Sequence, residues 1–338
     1  MSTMTSGCGR AALALALLMA VAPPARAGEP VPFLGPDGQK DYQRFQVEGF
    51  HRAFAISESG RFGQGNAYST IEGATKRAIE ECQKRDAQSK CAIYAMDGYV
   101  VWGKDPATLP RYAAAPKLGA FIPSDYTPVL GPEKAAGLII WSHGYLPGVD
   151  ATQGPPQGYV TRFEALGWDV YRFNREYIPQ IHTEIQIMMD SIKAVRAAGY
   201  RKVVLAGQSH GAWISLEALA HDAPIDGIIS ISPAHHGSPP TSAARSDFRQ
   251  LLREIRSRNA ADIPLVIALF QNDSYDPGGR FADVPDILGG SAVPFYLIDR
   301  PAELTGHGAG NGFVFNRRFG PCILRFVLES PHSPGHCE

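Results

Sequence analysis

The chain has 338 residues, 44% of them hydrophobic and 19% charged, a balance that excludes an intrinsically disordered or collagen-like protein. Lys+Arg total 32 and Asp+Glu 33, a formal net charge of −1, so the overall charge gives no footprint of a nucleic-acid binder. The 35 glycines and 27 prolines fit many turns between short elements better than a helical bundle.

In chain order, the first feature is a leader. Arg10 precedes an apolar run over residues 11–22, Pro23 and Pro24 follow, and Ala25-Arg26-Ala27 has the small-x-small form of a cleavage site. The run is too short to span a bilayer comfortably. The pattern predicts a signal peptide over 1–27 and an exported, periplasmic or secreted, mature chain. Cys8 lies before the run and is not placed as a lipoprotein cysteine. Four cysteines follow the leader: Cys82, Cys91, Cys322 and Cys337. An even number in an exported chain predicts two disulfides. Three pairings exist, and nearness in sequence favours Cys82–Cys91 and Cys322–Cys337, each worth about 2–3 kcal/mol in the chain-entropy model. The spacings are not CxxC-like, so no metal site is expected.

Residues 52–57 form a strand candidate, and 60–65 a Gly-rich turn. Residues 69–86 are apolar at helical spacing through Ile71, Ala74, Ala78, Ile79 and Cys82. Two strands, 92–96 and 99–102, flank the hairpin signal Asp97-Gly98. We therefore expect a small α+β module over 40–105. Its CAIYAMDGYVVW stretch resembles small cysteine-bridged modules of exported bacterial proteins. No catalytic constellation is readable in it, and Asp97 reads as a turn residue. The Pro/Ala-rich stretch 106–120 reads as a linker.

Beyond it strands and helices alternate. Strands are predicted over 136–142, 168–173, 203–206, 225–232, 265–270 and 293–298. Helices are predicted over 180–198, 212–220, 246–258 and 313–328. The inner side of the 180–198 helix carries Ile181, Ile185, Met188, Met189, Ile192 and Val195. Such alternation predicts an α/β fold with a mainly parallel sheet covered on both faces, over 121–338.

Gly207-Gln208-Ser209-His210-Gly211 is a GxSxG pattern, and its context is what makes it informative. KVVLA runs directly into it and AWISLEALA directly out of it, so a strand, a sharp turn and a helix place the serine hydroxyl above the sheet. Gly207 and Gly211 remove Cβ atoms where strand and helix crowd. The helix aims its N-terminal N–H groups at the same spot.

On these residues the chain resembles the α/β-hydrolase family over about 121–328. The resemblance implies an eight-stranded-type sheet, trimmed or complete, with nucleophile, acid and base in that chain order. Ser209 is then the nucleophile. The base falls to His307 in the loop LTGHG, ahead of His332 and His336 in the tail; His143 precedes the serine and reads as a wall residue. The acid follows strand 265–270, where Asp273 is favoured over Asp276, with Asp283 and Asp286 more distant. The oxyanion donors would be the backbone N–H groups of His210 and of Tyr145, the latter in the Ser142-His143-Gly144-Tyr145 loop.

Three further features bear on function. Arg245, Arg249, Arg253 and Arg256 share one helix side, which reads as a solvated face and leaves contact with a membrane surface open. His235-His236 follows a strand at its carboxyl end, where it would line the pocket as a chemically neutral wall contact and is not a metal motif. The loop 147–158 would narrow the pocket or lie on the surface. No HExxH, Walker A, complete GxGxxG or SxxK motif occurs. The sequence is thus read as an exported serine hydrolase of a carboxylic ester or related acyl bond. It would need no cofactor, would act on a small-molecule or acyl substrate, and would have no nucleic-acid partner. The alternatives are a peptidase, amidase or dienelactone-type hydrolase, or a non-catalytic envelope binding protein using its N-terminal block.

Overall fold

Runs such as Leu138–Ser142, Val203–Gln208 and Gly227–Ile231 are apolar without alternation, because both of their faces are buried. In the computed structural model, which describes residues 30–85, 87–104, 115–145, 154–175, 180–258 and 260–329, these runs form the centre of a seven-stranded sheet. Its strands are β5 (Phe121–Pro123), β6 (Leu138–Ser142), β7 (Asp169–Phe173), β8 (Val203–Gln208), β9 (Gly227–Ile231), β10 (Leu265–Leu269) and β11 (Phe295–Asp299), in the order β11-β10-β9-β8-β6-β7-β5. Only β5 runs antiparallel to its neighbour, pairing Phe121 with Phe173. Among the described residues the sheet is therefore a trimmed form of the eight-stranded type.

Alternate strand residues feed two cores. Leu138, Ile140, Leu205, Ile228 and Ile267 face α4 (Ile181–Ala197), α5 (His210–Ala220), α6 (Ala244–Arg256) and α7 (Arg280–Leu288). Ile139, Trp141, Ala206, Ile229 and Ala268 face α3 (Val160–Ala165) and α8 (Phe313–Leu328). Helix α5 is buried nearly all round, which explains why its sequence shows no polar side.

A second sheet precedes this one. Helices α1 (Pro36–Gln46) and α2 (Ile71–Arg85) accompany β1 (Ala53–Ile56), β2 (Phe62–Gly65), β3 (Ala92–Met96) and β4 (Tyr99–Val100), all antiparallel in the order β2-β1-β3-β4. Residues 62–65, expected to be turn, are a strand. Gly63 is required there because a Cβ would lie 2.3 Å from the Ala78 carbonyl oxygen as α2 crosses. A disulfide joins Cys82 to Cys91, tying the end of α2 to the start of β3. Cys322 is buried on α8. Its expected partner Cys337, the leader 1–27, residues 106–114 and 147–153, and His332 and His336 lie outside the described residues.

Two expectations about polar side chains are revised. Arg245 and Arg249 do not form a purely solvated face, since both pair with buried Asp283 on α7, and Arg249 also reaches Asp286 at 3.3 Å. His235 is not part of the cavity wall described below. It stacks on His210 at 5.6 Å and lies tilted against Trp213 at 5.6 Å, while His236 reaches Asp247 at 2.9 Å.

Candidate active site

The turn between β8 and α5 forces Ser209 into φ 57°, ψ −120°, a conformation that costs free energy in a non-glycine residue and persists only where its surroundings fix it. Three backbone hydrogen bonds do so: Ser209 N–H to the Ile231 carbonyl (3.0 Å), and Trp213 and Ala234 N–H to the Ser209 carbonyl (3.0 and 3.1 Å). The flanking glycines are obligatory. A Cβ on Gly207 would lie 2.4 Å from the Gly211 carbonyl carbon, and one on Gly211 would lie 2.1 Å from the Ser142 carbonyl oxygen.

The loops after β10 and β11 meet beside this turn. Gly306 N–H donates to the Gln271 carbonyl at 2.7 Å, and Gln271 and Thr305 form an isolated parallel bridge. This brings His307 Nδ1 to 2.8 and 3.0 Å from the two carboxylate oxygens of Asp273. Tyr275 N–H donates to Asp273 Oδ1 at 2.9 Å, fixing the carboxylate, and the Tyr275 ring lies 4.2 Å from the imidazole. Asp276 is engaged elsewhere, accepting from Gly278 N–H at 2.9 Å and facing Arg280 at 3.8 Å; burial raises its pKa. The geometry thus brings Asp273, not Asp276, to the imidazole. His307 Nε2 has no hydrogen-bond partner among the described residues.

Ser209 and His307 line one cavity of about 490 Å³, together with His143, Gly144, Tyr145 and Gln208. The 142–145 loop abuts the serine, since a Cβ on Gly144 would come within 3.2 Å of Ser209 Cβ. The Gly207, Ser209, His210 and Gly211 turn, Tyr145, Asp273 and His307 are therefore gathered at one end of the sheet. Residues 154–158 of the expected pocket loop also line the cavity.

Behind this wall lies a charged pair that sequence reasoning missed. Glu184 of α4 holds His210 Nε2 at 2.5 Å, and Arg175, just past β7, lies 3.5 Å from the other Glu184 oxygen. Arg175 also donates to the His143 carbonyl, and His143 Nδ1 lies 2.6 Å from the Gly144 carbonyl. One buried pair thereby touches the residue after Ser209 and the 142–145 loop. Burial lowers the Arg175 pKa, and the Glu184 carboxylate offsets part of that. The readable signal was Glu184 itself, a carboxylate among the inner positions Ile181, Ile185 and Met188. Among the described residues no group of three or more His, Cys, Asp or Glu could hold a metal ion.

No protein-family model and no curated protein matches the chain. Solved structures do. The acylaminoacyl peptidase of Pyrococcus horikoshii aligns at 14% identity and TM-score 0.44, covering 59% of this chain and 38% of that one. A puromycin-hydrolyzing peptidase of Mycobacterium tuberculosis aligns at 11% identity and TM-score 0.46, covering 80% and 44% respectively. A truncated carbohydrate esterase from gut microbiota aligns at 14% identity and TM-score 0.45, covering 63% and 90%. The match thus spans less than half the length of either peptidase. The strand order, the reversed β5 and the strained serine turn between β8 and α5 give this chain the α/β-hydrolase fold.

Proposed function

We propose that the chain is an exported serine hydrolase that cleaves a carboxylic ester or related acyl bond through Ser209, His307 and Asp273. The observation that carries this reading is that His307, paired with Asp273 at 2.8 Å, lines the same cavity as a serine held at positive φ. With Asp273 accepting from Nδ1–H, the imidazole presents Nε2 as a base. Nε2 takes the Ser209 proton as Oγ attacks the substrate carbonyl carbon, and the carbonyl π electrons move to oxygen. The backbone N–H groups of His210 and Tyr145 receive that oxyanion, each contributing about 3 kcal/mol to lowering the barrier. The oxyanion collapses and expels the alcohol, which leaves with the proton from Nε2. Water, deprotonated by the same nitrogen, then attacks the acyl carbon; the Oγ–acyl bond breaks, the acid is released, and Nε2 returns the proton to Ser209 Oγ. This cycle needs no cofactor.

The same steps serve an amide or a lactone, and esters, with the better leaving group, are the first substrate class to assay. Export is supported by the Cys82–Cys91 disulfide. No helix of the described residues is long and apolar enough to cross a membrane. The test is hydrolysis of a panel of nitrophenyl esters by the wild-type chain and by Ser209→Ala. Turnover by the wild type that falls by several orders of magnitude in a folded Ser209→Ala variant supports the reading. Equal turnover by both refutes it.

A further inference from the structure

Three residues of the N-terminal unit, Gly49, Phe50 and Ala67, line the same cavity as Ser209 and His307. Because this unit belongs to a different sheet, its contribution calls for an account of what holds it there. We infer that the 49–50 segment is a fixed wall that sets the size of substrate the cavity admits, an inference that rests on the hydrolase reading.

The segment is pinned from both sides. Within its own unit, Ala67 N–H donates to the Gly49 carbonyl at 3.2 Å, and His51 and Tyr68 exchange backbone hydrogen bonds at 3.2 and 3.1 Å. Arg52 is 1% exposed and donates to the Gln46 and Glu48 carbonyls, both at 2.7 Å. From the large sheet's side, Glu164 on α3 accepts from Arg52 at 2.8 Å. On α8, Asn316 Nδ2 donates to the Val47 carbonyl at 3.0 Å and Arg317 donates twice to Glu48 Oε1, at 3.0 and 2.8 Å. The Phe50 ring is held against Tyr126 at 5.3 Å, with the Arg52 guanidinium 4.8 Å from its centre. A buried, multiply bonded arginine is costly to uncouple, so this wall does not retreat to admit a longer chain.

Gly49 brings no side chain to this wall. A Cβ built there would sit 3.6 Å from Gly158 Cα and 3.9 Å from Ala67 Cβ, both ordinary contacts and both cavity residues. A methyl group fits at this position, and a larger side chain would extend among residues that line the cavity. Phe50 has the opposite potential, because shortening it adds space.

The experiment uses the full chain and two variants, Gly49→Val and Phe50→Leu, with kcat/KM measured on nitrophenyl esters from acetate to decanoate and a melting curve for each protein. The expected result is that Gly49→Val raises the acetate-to-decanoate ratio of kcat/KM by about tenfold or more, the scale on which a crowded pocket discriminates methylene groups, and that Phe50→Leu lowers it. Unchanged ratios in both variants, or a uniform fall across all esters, overturn the inference. If Gly49→Val does not melt cooperatively, the direction of the Phe50→Leu ratio decides alone. A wild type that hydrolyses no ester overturns the hydrolase reading and the wall with it; an active wild type with unchanged ratios overturns the wall only.

Discussion

Glu184→Gln is the sharpest probe of how the site is held. Its side chain and that of Arg175 are 3% and 2% exposed. The substitution keeps the shape of Glu184 but removes its charge, leaving a guanidinium buried without its counter-ion. Breaking such a pair costs about 3–5 kcal/mol. At roughly 2–4 °C per kcal/mol for a chain of this order of size, the melting midpoint should fall by about 6–20 °C. The same change loosens His210, one of the proposed oxyanion donors, and leaves Arg175 free to shift from the His143 carbonyl. A displaced donor costs about 10–10³ in kcat, with KM altered far less. Calorimetry and steady-state ester kinetics on the purified variant measure both effects. In Arg175→Met/Glu184→Gln the losses should be smaller than the sum of the singles, because the orphaned charge is gone. A single variant that melts within about 1 °C of wild type and keeps kcat within about twofold would refute this reasoning.

Asp273→Asn should reduce kcat by about 10³–10⁴ through the wrong imidazole tautomer, whereas Asp276→Asn should cost less than about tenfold; steady-state kinetics of the two variants compare them, and the reverse ranking would reassign the acid. Replacing Cys82 and Cys91 by Ser should destabilise the chain by about 2–3 kcal/mol on opening a loop with a sequence separation of 9, read from denaturant melts under non-reducing conditions. Burial pushes His235 down to about 4 from its ordinary 6.5, with the neighbouring charges of His210 and His236 adding to the effect. Between those values the unfolded chain binds a proton that the folded chain refuses, so stability falls as pH drops from 6.5 toward 4. The side chain is partly in solvent, so the slope should be shallow. His235→Asn should flatten the curve of melting midpoint against pH, and parallel curves would count against this origin.

The parts of the fold that announced themselves in the sequence did so through apolar continuity. The runs at β6, β8, β9 and β10 are buried on both faces, so no partner was needed to recognise them. Helix α8 was legible despite Pro321, because Phe315, Phe319, Ile323 and Phe326 keep helical spacing. Other elements depend on what they touch. Helix α1 reads PDGQKDYQRFQ and buries little beyond Gly38, Tyr42 and Phe45. Strand β2 reads FGQG, which is turn-like until α2 lies across its glycines. Strand β5 is three residues long. The same division runs through the site. Ser209, Asp273 and His307 each follow a strand, so chain order pointed to them. Arg175 and Gly49 become relevant only through their surroundings in the fold, Arg175 by its bond to the His143 carbonyl and Gly49 by its place in the cavity wall. No local pattern encodes such contacts.

The proposed hydrolysis turns on activation of the Ser209 hydroxyl by His307. Labelling the intact protein with a fluorophosphonate, followed by peptide mass mapping, reads that activation out. One stoichiometric adduct on Ser209 is expected, lost in Ser209→Ala and slowed by orders of magnitude in His307→Ala. An unlabelled Ser209 in the folded wild type, or labelling that is as fast without His307, would contradict it.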